Sequence, residues 1–169
     1  MKPFKYIFFL LVIIALSGCK IQYGFTQPSS IDAETFQVNR FENTSLLFEP
    51  GLDLQFQNTL QDLIQDQTNY KLETTNADLV YEGEITDYRI SPTTATAQNT
   101  AAQNRLTITV KVNFYNRNNE EDNVENKTFS FFYDYPGSAQ LIGGQKTTAH
   151  EEIFERITQD IVNATLARW

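Results

Sequence analysis

Between Arg105 and Tyr115 every second residue is apolar. Leu106, Ile108, Val110, Val112 and Phe114 alternate with Thr107, Thr109, Lys111 and Asn113. A period of two is that of a strand with one buried face, because successive side chains leave a sheet on opposite sides. Such a face needs an apolar surface to lie against, and two helical stripes supply one. After Pro50 and Gly51, Leu52, Phe56, Leu60, Leu63 and Ile64 recur at spacings of three and four, with Gln55, Gln57, Asp62, Gln65 and Asp66 on the wet side. Near the end of the chain Ile153, Phe154, Ile157, Ile161, Ala164 and Leu166 form a second stripe. Thr148 and Glu151 have the spacing of a capping box, which starts the last helix at Thr148. Glu151 and Glu152 then sit at its positive end and Arg168 near its negative end, as the helix dipole favours.

The remaining periodic stretches are strands. Residues 124–135 return from the clear strand with Phe129, Phe131, Tyr133 and Tyr135 on one parity, making a hairpin that Pro136-Gly137 stops. Residues 34–41 carry Phe36 and Val38 on one face, residues 70–74 form a short strand candidate, and residues 21–25 a possible first strand. Residues 78–90 hold the longest candidate, which Ser91-Pro92 ends. Leu79, Tyr81 and Ile85 share a parity that Tyr88 and Ile90 break. A uniform strand cannot bury both sets on one face, so a β-bulge is predicted between Ile85 and Tyr88. Residues 93–104, rich in Thr, Ala, Gln and Asn, are either a mobile loop or a solvated strand extension. Residues 116–123 form a polar, acidic hairpin tip, and Gly143-Gly144 marks a loop. Leu46-Leu47-Phe48 is either a docking patch or a run folded under the first helix. The pattern as a whole predicts an α+β fold: two helices packed on one face of a mainly antiparallel sheet of about four strands.

The N-terminus tells a different story. Lys2 and Lys5 precede ten apolar residues, 7–16, and then Leu16-Ser17-Gly18-Cys19. Basic start, short apolar run and small residues make a secretory signal peptide, too short to span a membrane. Its end is a lipobox, similar to that of bacterial lipoproteins, whose cysteine is acylated and becomes the first residue of the mature chain. Residues 1–18 are thus a lipoprotein signal peptide and residues 19–169 a single domain of 151 residues. Cys19 is the lipidation site and the only cysteine, so no thiol remains for disulfides or thiolate metal sites. By the sorting rules of such proteins, Lys20 in place of an Asp fits the outer membrane, with the domain facing the periplasm. The signal peptide holds two of the 13 basic residues and none of the 21 acids, leaving 11 against 21 and a charge of −10. That excludes nucleic acid as a partner, which requires basic stripes.

Chemistry-bearing groups are few. His150 is the only histidine. It has no nucleophile or orienting partner in a motif, and reads as a polar residue beside a helix cap. Glu120-Glu121-Asp122 lacks the alternating oxygen ligands and Gly of a calcium loop. Gly143-Gly144 is too sparse for a phosphate loop. Neither a catalytic residue, a metal site nor a cofactor is expected. Aromatic residues make up 13% of the chain, which suits a sheet-rich core and packed interfaces.

One family shares this layout. The lipobox, Tyr23-Gly24-Phe25, Pro50 with its helix, Leu79-x-Tyr81-Glu82-Gly83-Glu84-Ile85-Thr86-x-Tyr88, Asn104-Arg105-Leu106-Thr107-Ile108-Thr109-Val110-x-Val112 and a last helix ending in Trp169 together resemble the lipopolysaccharide-assembly lipoproteins of the LptE family, in the form found in Bacteroidota. The resemblance spans residues 19–169. It implies a non-enzymatic outer-membrane lipoprotein that plugs the LptD β-barrel, helps it assemble, and serves lipopolysaccharide insertion into the outer leaflet. It also implies lipopolysaccharide contacts through basic side chains, for which Arg89, Arg105, Lys111 and Lys127 are the candidates on or beside strands. The alternatives are an accessory lipoprotein of another envelope complex and a lipid-binding lipoprotein acting alone, which would need a concave apolar pocket. The expected barrel contacts are the sheet edges, residues 93–104 and residues 116–123.

Overall fold

The structure, a computed structural model, describes residues 31–95, 101–137 and 139–166, with backbone alone at 94, 95, 101 and 102. The lipobox, the strand candidate at 21–25, Arg168 and Trp169 lie outside the described residues. The element order is β1 (Thr35–Val38), β2 (Glu42–Asn43), α1 (Leu52–Gln67), β3 (Lys71–Leu72), β4 (Leu79–Ala95), β5 (Ala101–Asn116), a 3-10 turn (Glu120–Asp122), β6 (Val124–Pro136) and α2 (Gly143–Thr165). The strands form one six-stranded sheet in the order β3-β1-β4-β5-β6, with β2 pairing onto β4 beyond β1. The fold class is as the sequence predicts, α+β with two helices. The sheet differs in detail: β4, β5 and β6 are antiparallel, whereas β1 and β2 run parallel to β4, and β3 parallel to β1. β1 and β3 fall within the strand candidates at 34–41 and 70–74, whereas β2, with two residues, has no room for a recognisable period, and the sheet has six strands where about four were expected.

Both helices cover the same side. α1 lies over β1, β2 and β3, and α2 over β5 and β6. They run in the same direction, since Gln55 on α1 meets His150 on α2 while Gln67 further along meets Gln159. Between helices and sheet the core is aromatic. Phe56 packs edge-on to Phe41 at 4.9 Å and to Phe154 at 5.3 Å, and Tyr81 lies 4.9 Å from Phe114. Leu106, Ile108, Val110, Val112 and Phe114 all point into it and are buried, as their alternation requires. The buried Tyr81 hydroxyl meets Thr165 Oγ1 at 2.9 Å, satisfying a polar group that burial would otherwise penalise.

The bulge is where the parity break places it. The β4–β5 register shifts between Ile85 and Asp87, leaving Thr86 as the extra residue, and its hydroxyl donates to the Thr109 carbonyl at 3.3 Å. The shift turns Tyr88 onto the helix side, where it is buried.

Three local readings change. Ser91-Pro92 does not end the strand. β4 continues to Ala95, with Pro92 opposite Asn104. Past Ile85 the other side of β4 pairs with no strand among the described residues, and an edge tolerates a residue without an N–H. Of the two readings of 93–104, the described part is the strand extension. Gly143-Gly144 is not a loop, and Thr148 is not a cap. α2 begins at Gly143 with Ile142 as its N-cap. The early turn is held by tertiary contacts, with Lys146 Nζ 2.7 Å from Glu49 Oε1 and Ala149 buried. The hairpin tip is only partly solvated. Asp122 is buried in the 3-10 turn and accepts from Asn116 Nδ2 at 2.8 Å.

Candidate functional site

The face of the sheet turned away from the helices is polar, because the alternation that buries Leu106 to Phe114 sends the intervening residues outward. Three of the four basic candidates are there. Arg89 stands opposite Thr107, Lys111 opposite Glu84 and Thr128, and Arg105 opposite Asp134. Each has a carboxylate. Arg105 makes two parallel hydrogen bonds to Asp134, 2.7 Å from Nε and 2.8 Å from Nη2, and its guanidinium stacks 3.5 Å over the Phe132 ring. The guanidinium holds the Asp134 carboxyl below the usual carboxylate range. Lys111 Nζ lies 3.3 Å from Glu84, and Arg89 lies 3.8 Å from Asp87. Lys127 is elsewhere. It pairs opposite the inward-facing Val112, hence on the helix side, where its ammonium lies 5.6 Å from the Phe129 ring. The basic residues therefore do not form one cationic cradle, and those on the outer face are already neutralised.

The Glu82-Gly83-Glu84 segment acquires a structural reason. Gly83 has its missing side chain on the core side, where the Phe41 ring and the Lys111 carbonyl occupy the space a Cβ would need. Glu82 accepts from Asn39 Nδ2 at 3.2 Å, and Glu84 faces Lys111 and Thr44, stitching β1 and β5 to β4. An open cleft of about 350 Å³ lies beside them, lined by Asn39, Arg40, Glu42, Glu82, Gly83, Glu84, Lys111 and Asn113. A neighbouring cleft of about 450 Å³ is lined by Arg40, Glu42, Asn43, Phe48 and Asp53. Both linings are mainly polar and charged, with Phe48 contributing an apolar side chain to the second, whereas a lipid pocket is apolar. The Arg40 guanidinium holds the Asp53 carboxyl low.

The two polar segments named as contact surfaces stand at opposite ends of β5. That strand has 16 residues, a span of about 50 Å at strand rise. The end with residues 116–123 also holds Asp32, whose carbonyl accepts from Asn118 Nδ2. The other end gathers the starts of both helices. Near the start of α1 Leu46, Leu47, Phe48 and Leu54 are exposed, and so are Ile90 on β4 and Ile142 before α2. Leu46-Leu47-Phe48 is thus not folded under α1, and the docking-patch reading remains.

His150 corrects the sequence reading most. It is not beside a helix cap but in the interior of α2, where it is 4% exposed. Nε2 lies 3.1 Å from the Tyr88 hydroxyl and Nδ1 3.3 Å from Gln55 Oε1, while the ring stacks on Phe154. Burial pushes its pKa below the ordinary value of 6.5. The bulge that turns Tyr88 inward was the one available signal of this cluster. Nothing in the spacing of the chain links residues 55, 88 and 150.

A family model described as LptE, Lipopolysaccharide-assembly, matches residues 33–165. No curated protein matches the chain. Among solved structures, the uncharacterized lipoprotein B of Nitrosomonas europaea is similar with a TM-score of 0.58 at 10% identity, over 89% of this chain and 91% of its own. The hypothetical protein CT253 of Chlamydia trachomatis is similar with a TM-score of 0.55 at 10% identity, over 80% of this chain and 99% of its own. At such identity these likenesses show a shared fold.

Proposed function

The chain belongs to the LptE family of lipopolysaccharide-assembly proteins, and from that premise we propose that it is an outer-membrane lipoprotein that plugs an LptD-like β-barrel and helps it assemble. The family match over residues 33–165 is the observation that carries this reading. The geometry supports it in two ways. The space between helices and sheet is filled by aromatic and aliphatic side chains, and the two clefts described have polar linings, which disfavours a lipid binder acting alone. The outer face of the sheet carries hydroxyls, amides and neutralised charges, which suits the wet, polar lumen of a large barrel. The domain comprises residues 19–169, released from the signal peptide and held at the periplasmic face by acyl chains on Cys19. Arg89, Arg105, Lys111 and Lys127 remain the candidates for lipopolysaccharide contact. The role requires no catalytic group.

Two experiments test this. Photo-crosslinkers at Asn104, Thr109 and Asn119 should trap one large β-barrel protein, and depletion of the lipoprotein should lower that barrel's abundance and the lipopolysaccharide at the cell surface. Crosslinks confined to soluble periplasmic proteins, with both levels unchanged on depletion, would replace this reading with that of an accessory to another envelope complex. The anchor is tested by the intact mass of membrane-extracted protein. A mass that includes Met1, or Cys19 without acyl chains, removes it.

A further inference from the structure

Among the described residues the sheet has two long bare edges, and they are built differently. β4 past Ile85 carries Asp87, Arg89 and Pro92, and its pairing with β5 shifts register on both sides of Thr94. Charges, proline and irregularity are what keep an exposed edge from pairing. β6 has no such protection between Thr128 and Tyr135. Its register with β5 is unbroken there, and its one charge, Asp134, is neutralised by Arg105. The Ile108 carbonyl accepts from Ser130 Oγ at 3.2 Å, so it points towards β6. Phe131, directly opposite Ile108, therefore turns its own N–H and C=O towards β5. Alternation then turns those of Thr128, Ser130, Phe132 and Asp134 outward, where no described backbone group takes them.

The side chains along this edge select what can pair with it. Phe129, Phe131 and Tyr133 are half-buried on the helix side, while Thr128, Ser130 and Asp134 are exposed on the outer side. At the foot of the aromatic row Lys127 is exposed and makes no ion pair among the described residues. α2 excludes one occupant. Arg156 lies 5.8 Å over the Phe131 ring, so the helix stands above the edge strand. A second copy adding its own β6 would set the two helices about one strand spacing apart, ~4.8 Å, where packed helices need about 8–10 Å. The edge has room for a lone strand.

We propose that β6 receives, by strand addition, an unpaired strand of the β-barrel while that barrel assembles. The incoming segment has period two, with apolar residues towards Phe129, Phe131 and Tyr133, polar residues on the outer side, and an acid opposite Lys127. Membrane-barrel strands carry this alternation, and only a barrel not yet closed has a strand edge to give. The inference rests on the barrel reading and names the surface through which the assembly role acts.

Photo-crosslinkers at Thr128 and Ser130, in the acylated full chain co-expressed with the LptD-like barrel of the same cell, should bond to pulse-labelled barrel. That product should fade during the chase as the barrel closes. A crosslinker at Thr109, one strand further in on the outer face, reports the barrel reading independently. Ser130→Pro removes an outward N–H and no bond to β5. It should lower the product from Thr128 about two- to tenfold, the factor that one net hydrogen bond represents, and leave the product from Thr109 unchanged. Should it fail to fold, Thr128→Lys with the crosslinker at Ser130 places a charge on the edge and spares the backbone. Barrel captured from Thr109 but not from the edge would overturn the inference and leave the barrel reading standing. So would an edge product that persists through the chase, is undiminished in the variants, or joins a second copy or residues 19–30 of the same chain. Absence of barrel product from Thr109, Asn104 and Asn119 as well would end that reading, and the inference with it.

Discussion

At Gly83 an added Cβ would meet the Phe41 ring at 2.8 Å and the backbone carbonyl of Lys111. The ring is the flexible neighbour, the carbonyl is not, because β4 and β5 are locked in register on both sides of Gly83. Gly83→Ala should therefore destabilise by about 1–3 kcal/mol through overpacking, measured as a lower urea midpoint with unchanged slope. The same change at Gly144, where nothing lies within 4 Å, should not destabilise. Glycine was visible at both positions in the sequence, but its meaning was not. One leaves room for a ring from a distant segment, and the other opens a helix that tertiary contacts hold.

α2 and β5 offer a test of what forms an element and what loads it. Were Thr148 an N-cap, removing its hydroxyl would cost about 0.5–2 kcal/mol. Because it is exposed in the interior of a helix that starts at Gly143, Thr148→Ala should leave stability within about 0.5 kcal/mol, or raise it slightly through better helix propensity. Thermal unfolding of the variant distinguishes the two. β5 behaves as its alternation predicts. Ile108 is fully buried, so Ile108→Ala should cost about 2–5 kcal/mol from lost burial plus the cavity left behind. An unchanged midpoint there would contradict the assignment of the buried face. The bulge at Thr86 belongs to this scale too. It is a single extra residue, yet it decides that Tyr88 meets His150 instead of the outer face.

Taken whole, the molecule has a filled core, a largely polar outer sheet face and exposed apolar side chains near the start of α1. Replacing Leu46, Leu47 and Phe48 by serine should leave the melting temperature almost unchanged, since these side chains are exposed, while lowering capture of the partner in crosslinking. Arg105→Ala should likewise leave unfolding nearly unaltered, because its bridge to Asp134 is exposed to screening by water and salt. On the barrel reading it should reduce crosslinking from Thr109. Equal capture by both variants and the wild type would remove these two surfaces from the interface.

What the sequence determined by itself was whatever repeats locally. The period of two at residues 105–115, the stripes of α1 and α2 and the parity break before Tyr88 each specify which side chains are buried, because burial of one face is a property of neighbouring residues in a regular backbone. The Glu82-Gly83-Glu84 and Arg105-Leu106-Thr107 strands carried the family resemblance for the same reason. Tertiary structure alone decided the rest. The two-residue strand β2 exists because β4 offers an edge to pair with beyond β1, and the parallel pairing of β3 onto β1 and of β1 onto β4 is set by how the helices bring those segments together. The first turn of α2 is held by Glu49, nearly a hundred residues earlier in the chain. The dispersal of Arg89, Arg105 and Lys111 among carboxylates, and the closure of Gln55, Tyr88 and Glu49 around His150, depend on contacts between segments far apart in the chain. No local period encodes such contacts, because their energy arises only when the core has brought those segments together.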